Sequence, residues 1–323
     1  MRALKLLFST LVAGLVMAAH PALAADPYPS RPVRLVLPFA PGGASDALAR
    51  VLAPRLAAEL GQPVVIDNRP GAGGNVAAMA VLGAPADGHT ILMGSSMLTT
   101  NKHLYRGKLS YDPERDFAAV VHLGGGPYVL VAHPSLPARN MEELIALSRD
   151  SQLFYASSGI GGASHLAGEL LKLQSGVKMT HTPFRGGGPA VMAVLSNQPP
   201  LLFGTIASSA AHVRSGSLRA IAVTGDKRVP QFPNVPTLDE LGVKGYNVTT
   251  WDALVVPAAT PRPVIDRINT AVVKVIRMPE VSDKIREMGY TPTGSTAQEL
   301  SDFLKAESAM WARVIQDADI RAD

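Results

Sequence analysis

Short apolar runs rich in β-branched residues alternate with segments of helical periodicity through much of the chain. Val33–Leu37 is the first such run, and a glycine-rich turn separates it from a segment whose apolar residues recur at helical spacing. Ser45 or Asp46 is the predicted cap of this helix, and the strand pattern returns at residues 64–66 and 90–93. Strands that alternate with helices predict an α/β fold with a mainly parallel sheet.

The alternation continues through the middle of the chain, which we interpret as a second, inserted lobe. Residues 127–251 form this second lobe in our interpretation, and residues 26–126 and 252–323 form the first. The predicted crossings between them are two strand-like runs, residues 127–132 and 248–256. One continuous large sheet is the alternative, but a middle segment of about 120 residues is long enough to build its own core.

The N-terminus has the pattern of a secretory signal peptide. Arg2 and Lys5 precede an apolar run over residues 6–19, and small residues at 22–24 suit a signal peptidase. The run is too short for a membrane anchor, which needs about 20 apolar residues. We therefore predict that residues 1–25 are removed and that the mature chain is periplasmic, without a lipid because no cysteine follows.

Composition narrows the class of protein further. The 323 residues are 47% hydrophobic and contain no cysteine, so a large core replaces disulfides and thiol chemistry is excluded. Without Arg2 and Lys5 the chain has 28 basic and 26 acidic residues. The sequence contains no run of basic residues, so we predict that nucleic acid is not a partner. Aromatic residues are few, and we expect Trp251 to pack in the core or hinge.

One glycine-rich pattern occurs twice. Residues 42–46 (GGASD) follow the first strand, and residues 161–165 (GGASH) follow a strand in the second predicted lobe. Each pattern places bare backbone N–H groups and a hydroxyl at a helix N-terminus, where anions bind. Two such turns facing each other could hold one carboxylate, although glycine turns also recur by chance in α/β proteins.

Enzyme motifs fit the chain poorly. There is no G-x-S-x-G, Walker or H-E-x-x-H motif, and the glycine patterns beginning at Gly71 and Gly159 lack the third glycine of a dinucleotide site. We predict no cofactor and no metal. His165 could act as a base for Ser158 or Ser164, which keeps a hydrolase as an alternative, but a hydrogen-bonding role at the helix start is favoured.

Further short motifs follow one another in order through nearly the whole predicted mature chain. They are residues 28–32 (YPSRP), 38–46 (PFAPGGASD), 68–75 (NRPGAGGN), 86–90 (ADGHT), 111–113 (YDP), 157–159 (SSG), 162–166 (GASHL), 183–186 (PFRG), 189–190 (PA) and 216–224 (GSLRAIAVT), with Trp251, Thr260-Pro261 and Trp311. In this order they resemble the substrate-binding proteins of tripartite tricarboxylate transporters, also called Bug receptors.

The resemblance implies a type II periplasmic-binding-protein fold, the two-lobed Venus-flytrap architecture. In this family two glycine loops grip a ligand carboxylate, partly through ordered water. We call residues 39–46 the first glycine loop and residues 158–165 the second glycine loop. The predicted ligand-binding residues are Phe39, Gly42, Gly43, Ala44, Ser45 and Asp46 from the first, Ser158, Gly161, Gly162, Ala163, Ser164 and His165 from the second, and Ser95 and Thr205.

The chain departs from the family pattern in three places. Gly204 stands where an acidic residue would suit a ligand with an amino group, and its presence argues against amino-acid ligands. Ala77 replaces a common glycine. Gly187 and Gly188 stand where side chains are frequent, which predicts a roomier and less polar cleft.

The predicted function is reversible binding of a small mono- or dicarboxylate, aromatic acids included, without catalysis. The receptor would act as a monomer and deliver its ligand to integral-membrane transporter subunits. A sensor that signals to a membrane kinase of a two-component system, and the hydrolase named above, remain alternatives. Ser45 and Ser164 are expected to donate hydrogen bonds to the ligand, and Asp46 is expected to turn away and orient its loop.

Overall fold

The computed structural model describes residues 28–322, so the predicted signal peptide lies outside the described residues. Within that range the chain forms ten β-strands and eleven α-helices. The strands are β1 Val33–Leu37, β2 Val64–Asn68, β3 Thr90–Gly94, β4 Phe117–Ala132, β5 Leu153–Ser157, β6 Met179–Pro183, β7 Leu201–Thr205, β8 Arg219–Val223, β9 Thr249–Pro257 and β10 Thr291–Pro292. The helices are α1 Ala44–Leu60, α2 Asn75–Leu82, α3 Met97–Leu104, α4 Pro113–Asp116, α5 Met141–Asp150, α6 Ala163–Ser175, α7 Gly187–Leu195, α8 Ile206–Arg214, α9 Arg262–Ile276, α10 Pro279–Glu287 and α11 Ala297–Asp317.

The strands form a mixed sheet in the order β2-β1-β3-β9-β4-β7-β5-β6, with β8 and β10 also paired to β4. Strands β1, β2 and β3 are parallel, as are β5, β6 and β7, which agrees with the predicted alternation of strands and helices. Strands β4 and β9 lie between these groups and pair antiparallel with their neighbours. Among residues 28–322, no helix has both the length and the apolar composition needed to cross a membrane.

Strand β4 belongs to both parts of the sheet because it is long. Its first part pairs with β9 as far as Pro127, which lies opposite Thr249, and its last five residues pair with β7 and β8 instead. The two predicted crossings therefore fall on strands that run side by side. The sheet is hydrogen-bonded without interruption through β4, whereas the buried apolar core is divided into separate clusters.

Both faces of each part of the sheet are covered, because successive side chains on a strand point to opposite faces. On β1, Leu35 and Leu37 join one buried apolar cluster and Val36 joins another. On β4, Leu130 lies in a third cluster and Val131 in a fourth. Coverage on both faces explains why these strands read as continuous apolar runs and not as alternating ones.

The last helix connects the two parts of the core. Leu300 of α11 packs with the first part, whereas Trp311 and residues that follow it pack with β5 and β7, although we had assigned all of residues 252–323 to the first lobe. Glu307 lies between them, and its carboxylate accepts hydrogen bonds from the indole N–H groups of Trp251 at 3.1 Å and Trp311 at 3.0 Å. Trp251 is buried in the core, as predicted.

Replacing Glu307 with Ala should lower the free energy of unfolding by about 2 kcal/mol, because two buried indole N–H groups lose their acceptor. Urea unfolding would measure the change. The control is Glu307→Gln, which keeps an oxygen acceptor and should lose less than half as much. Equal losses in the two variants would contradict this role for the carboxylate.

Candidate ligand-binding site

A cavity lies between the two glycine loops. Five strands end beside it, which is where ligands bind in many α/β proteins. Its walls combine hydroxyl groups with aromatic and aliphatic surface. The lining residues are Phe39, Gly43, Ala44, Ser45, Ser95, Ser96, Tyr128, Ser158, Gly162, Ala163, Ser164, Gly187, Leu202, Phe203, Gly204, Thr205, Thr250 and Tyr290.

Five helices begin at the cavity wall. Helices α1, α3, α6, α7 and α8 start directly after Gly43, Ser96, Gly162, Gly186 and Thr205, and each follows the carboxyl end of a strand. The first turn of a helix carries unpaired N–H groups and the positive end of the helix dipole. Among the described residues that line the cavity, none is Lys, Arg, Asp or Glu, so backbone groups dominate its electrostatics.

Asp46 holds the first glycine loop from behind and does not line the cavity. Its carboxylate accepts a hydrogen bond from the N–H of Gly42 at 3.2 Å, pairs with Arg50 at 2.9 Å and accepts from Asn68. Burial raises the pKa of Asp46, but these hydrogen bonds outweigh burial and hold the pKa below its usual value. The expected orienting role is therefore observed, whereas the helix cap is Gly43 and not Ser45 or Asp46.

His165 holds the second glycine loop from behind, as Asp46 holds the first. Burial lowers the pKa of His165 to about 4, and its neutral ring accepts a hydrogen bond from the N–H of Gly161 at 3.1 Å. The ring stacks on His181, with 3.8 Å between the ring centroids. Ser158 and Ser164 hydrogen-bond to each other at 2.9 Å and not to His165, so the serine–histidine pair that a hydrolase needs is not formed by these residues.

Direct hydrogen bonds join the two sides of the cavity. The N–H of Ala40, in the first glycine loop, donates to the carbonyl of Arg185 at 3.0 Å. The N–H of Ala163, in the second glycine loop, donates to the hydroxyl of Ser96 at 3.0 Å. These contacts link residues that are distant in sequence and hold the two glycine loops at a fixed separation.

The glycines of helix α7 bring the two sides closer together. Gly187 lines the cavity, but a Cβ atom added at Gly188 would lie only 2.9 Å from the carbonyl oxygen of Pro41. The absence of a side chain there lets the backbone of α7 lie against the first glycine loop. Our expectation of a roomier cleft at this position was wrong, because the space is filled by backbone.

Most of the predicted binding residues converge on the cavity, and four lie behind it. The predicted residues that line it are Phe39, Gly43, Ala44, Ser45, Ser95, Ser158, Gly162, Ala163, Ser164 and Thr205, whereas Gly42, Asp46, Gly161 and His165 lie behind the wall. The other lining residues are Ser96, Tyr128, Gly187, Leu202, Phe203, Gly204, Thr250 and Tyr290. Gly187 and Gly204 are two of the departures from the family pattern, and the other six were not predicted. Ser96 could have been found as a hydroxyl residue at a helix start. The two tyrosines carry no local signal.

A buried carboxyl group lies beneath the cavity floor. Asp252 of β9 has no exposed surface, and its two oxygens accept hydrogen bonds from the hydroxyls of Ser45 at 2.6 Å and Tyr290 at 3.1 Å. Burial raises the pKa of Asp252 to about 6, although both hydrogen bonds act to lower it. The hydroxyl of Ser45 is thus directed to Asp252, and not towards the cavity where we expected it to donate.

In the described part of the chain, no cluster of three or more His, Cys, Asp or Glu side chains is placed to hold a metal ion. The site therefore consists of helix N-termini, hydroxyls and apolar side chains around one cavity, with a buried acid below it. Such a site can bind an anion with an apolar body.

Comparison with known proteins gives this site a context. The model of the tripartite tricarboxylate transporter family receptor matches residues 48–320. A solved structure of the periplasmic binding protein BugD is 32% identical, with a TM-score of 0.87, and covers 92% of this chain and 100% of its own. Rpa4515 of R. palustris with adipate is 36% identical, with a TM-score of 0.87 and coverage of 91% and 99%. MatC of Rhodopseudomonas palustris with bound malate is 31% identical, with a TM-score of 0.84 and coverage of 89% and 100%.

Replacing Asp252 with Asn should change how stability depends on pH. The pKa of about 6 in the folded state lies above the usual 3.8, so the folded state binds the proton more tightly. Stability should therefore fall as pH rises from about 4 to about 6, by about 3 kcal/mol, and stay level above that. Asn does not titrate, so the stability of the variant relative to the unmodified protein should grow by that amount.

Urea unfolding at several pH values tests this, with Asp46→Asn as the control. The pKa of Asp46 is lowered in the folded state, so its contribution has the opposite sign. It is present at neutral pH and is lost as pH falls through the folded-state pKa. Parallel pH profiles for the unmodified protein and Asp252→Asn would contradict the raised pKa of Asp252.

Proposed function

Because the chain belongs to the tripartite tricarboxylate transporter receptor family, we propose that it captures a small carboxylate in the periplasm and delivers it to a membrane transporter of that type. The family and the α/β periplasmic-binding-protein fold are those of solute-binding receptors and not of enzymes, as predicted. The proposal concerns the ligand, the residues that hold it and its delivery.

The observation that carries the proposal is the convergence of five helix N-termini on a cavity lined by uncharged residues. Each N-terminus directs the positive end of its helix dipole and first-turn N–H groups towards an anion in the cavity, although the first N–H of α6, at Ala163, already donates to Ser96. Phe39, Leu202 and Phe203 supply apolar wall for the carbon skeleton of the acid. Related proteins with adipate and with bound malate support a carboxylate as the ligand class.

The cavity wall has Gly204 where an acidic residue would suit an amino group, so it favours acids without an amino group as ligands. No acidic side chain lines the cavity in the described residues, and Asp252 lies behind Ser45 and Tyr290, which occupy its oxygens. An ammonium group would therefore enter the cavity without a carboxylate to which it could hydrogen-bond directly, which is costly in a desolvated site. Malate should be preferred to aspartate, which differs from it by an amino group in place of a hydroxyl.

We further propose that the two parts of the core move relative to each other when the ligand enters. The crossing strands β4 and β9 lie side by side at Pro127 and Thr249, where a rotation could be absorbed. The hydrogen bonds between Ala40 and Arg185 and between Ala163 and Ser96 would form on closure. Opening would release the ligand to the transporter.

A thermal-shift screen of organic acids, followed by calorimetry, tests the ligand class. Adipate or malate at about one hundred times its dissociation constant should stabilise the protein by about 2.7 kcal/mol. Aspartate is the matched control for malate and should give a much smaller shift. A screen in which amino acids stabilise the protein and no carboxylic acid does would overturn the proposal, and a ligand recovered chemically altered would favour the hydrolase.

Replacing Ser164 with Ala should weaken carboxylate binding about fivefold, equivalent to about 1 kcal/mol, without unfolding the protein. Ser164 lines the cavity, and its hydroxyl accepts from the N–H of Ser158 at 3.1 Å, which organises the second glycine loop. The control is Ser175→Ala, at the far end of the same helix. If calorimetry finds the same affinity for Ser164→Ala and Ser175→Ala, Ser164 does not contribute to carboxylate binding.

Closure should be visible by small-angle X-ray scattering. Two lobes that close on a ligand become more compact, so the radius of gyration should fall when the receptor is saturated with a carboxylate that the screen identifies. Ligand-free protein and protein with aspartate serve as references. A radius that stays constant at saturation would contradict the proposed movement.

A further inference from the structure

Among the described residues at the proposed site, Asp252 is the one whose negative charge would repel an anionic ligand. Its carboxyl group is fully buried, and it lies one hydrogen bond away from Ser45 and from Tyr290, which both line the cavity. A ligand oxygen that contacts Ser45 would lie roughly 5 Å from the carboxyl group, two hydrogen-bond lengths away. Two negative charges at that distance in a desolvated site disfavour each other strongly.

The groups that face Asp252 are all uncharged. Ser45 reaches it from α1 and Tyr290 from the loop before β10, and Tyr128 on β4 is the other titratable group near enough to interact with its charge. Burial raises the pKa of both phenols, so both remain neutral at ordinary pH. Among the described ion pairs, none involves Asp252.

Other titratable groups lie on the opposite face of the strand. Trp251, the neighbour of Asp252, points to that face and contacts His122 and Glu307. Successive side chains of a strand point to opposite faces, so the sheet separates these two groups from the carboxyl group beneath the cavity. No cation in the described contacts is placed to compensate an ionised Asp252 when an anion binds.

We propose that a carboxylate ligand binds together with one proton, and that Asp252 takes up this proton. The inference rests on the proposed function, because it requires an anionic ligand in the cavity. Asp252 is a positioning residue here, since it acts on the ligand through Ser45.

The proton comes from solvent and forms an O–H bond to the Asp252 oxygen that faces Ser45. Ionised Asp252 accepts the hydroxyl hydrogens of both Ser45 and Tyr290, so neither can donate to the ligand. Protonated Asp252 donates to Ser45, whose own hydrogen is then free to point into the cavity and bond to the ligand carboxylate. The proton cancels one negative charge of the ligand. A monocarboxylate therefore leaves the total charge of the buried site unchanged, and a fully ionised dicarboxylate makes it more negative by one charge instead of two.

Calorimetry of adipate and malate binding at about pH 7.5, in buffers that differ in ionisation enthalpy, measures the proton directly. The unmodified protein should take up between about one half and one proton per ligand. Its affinity should fall by up to about tenfold per pH unit between about pH 6.5 and pH 8, where the carboxylic acids themselves are fully ionised. Asp252→Asn should bind with no proton uptake and no such pH dependence.

Two further variants keep the test decisive. Glu59→Gln removes a different acid, at the far end of α1 from the cavity, one that already pairs with Lys274, and should keep the proton uptake of the unmodified protein. Tyr290→Phe removes a hydrogen bond that favours ionised Asp252, so the pH at which affinity begins to fall should move upward. This second variant decides the question if Asp252→Asn does not fold.

Carboxylate binding without proton uptake in the unmodified protein would overturn the inference and leave the proposed function standing. Proton uptake that persists in Asp252→Asn, or a pH profile unchanged in Tyr290→Phe, would also overturn it. If no carboxylate binds the unmodified protein, the proposed function fails and this inference fails with it.

Discussion

The central constraint of this structure is that the proposed anion site consists of backbone N–H groups instead of cationic side chains. Five strands must end at one place, and five helices must begin there, for enough of these groups to face one cavity. Backbone groups cannot be moved by rotating a side chain, so the site is only as accurate as the sheet that carries it. The strand order and the shared long strand β4 therefore determine the geometry of binding.

Glycine turns alone would be too flexible to present these groups, and buried side chains hold them in place. Asp46 binds the backbone of the first glycine loop and His165 that of the second, each from the side away from the cavity. The charge of Asp46 is compensated by Arg50, and His165 is neutral, so neither adds an uncompensated charge near the ligand. Asp252 differs from both, because it is buried without a cation and lies directly beneath the residues that contact the cavity.

The sequence alone predicts those features of the fold and of the site that depend on a local pattern of residues. Strand and helix alternation, the two glycine loops and the burial of Trp251 all follow from short segments read in order. The floor of the site could not be found in this way. Asp252 and Tyr290 come from β9 and from the loop after α10, far from Ser45 in the chain, and no spacing rule links them. The packing of the end of α11 could not be predicted for the same reason, because its partners on β5 and β7 are remote in sequence.

The last helix has a consequence for the balance between open and closed forms. Because α11 is packed into both parts of the core, and Glu307 ties Trp251 to Trp311, separation of the two parts would strain or break contacts that do not involve the ligand. In the proposed equilibrium, such a connection would raise the fraction of empty receptor that is already in the binding-competent form. The apparent dissociation constant equals the intrinsic one divided by that fraction, so affinity would be set partly by a helix that does not line the cavity.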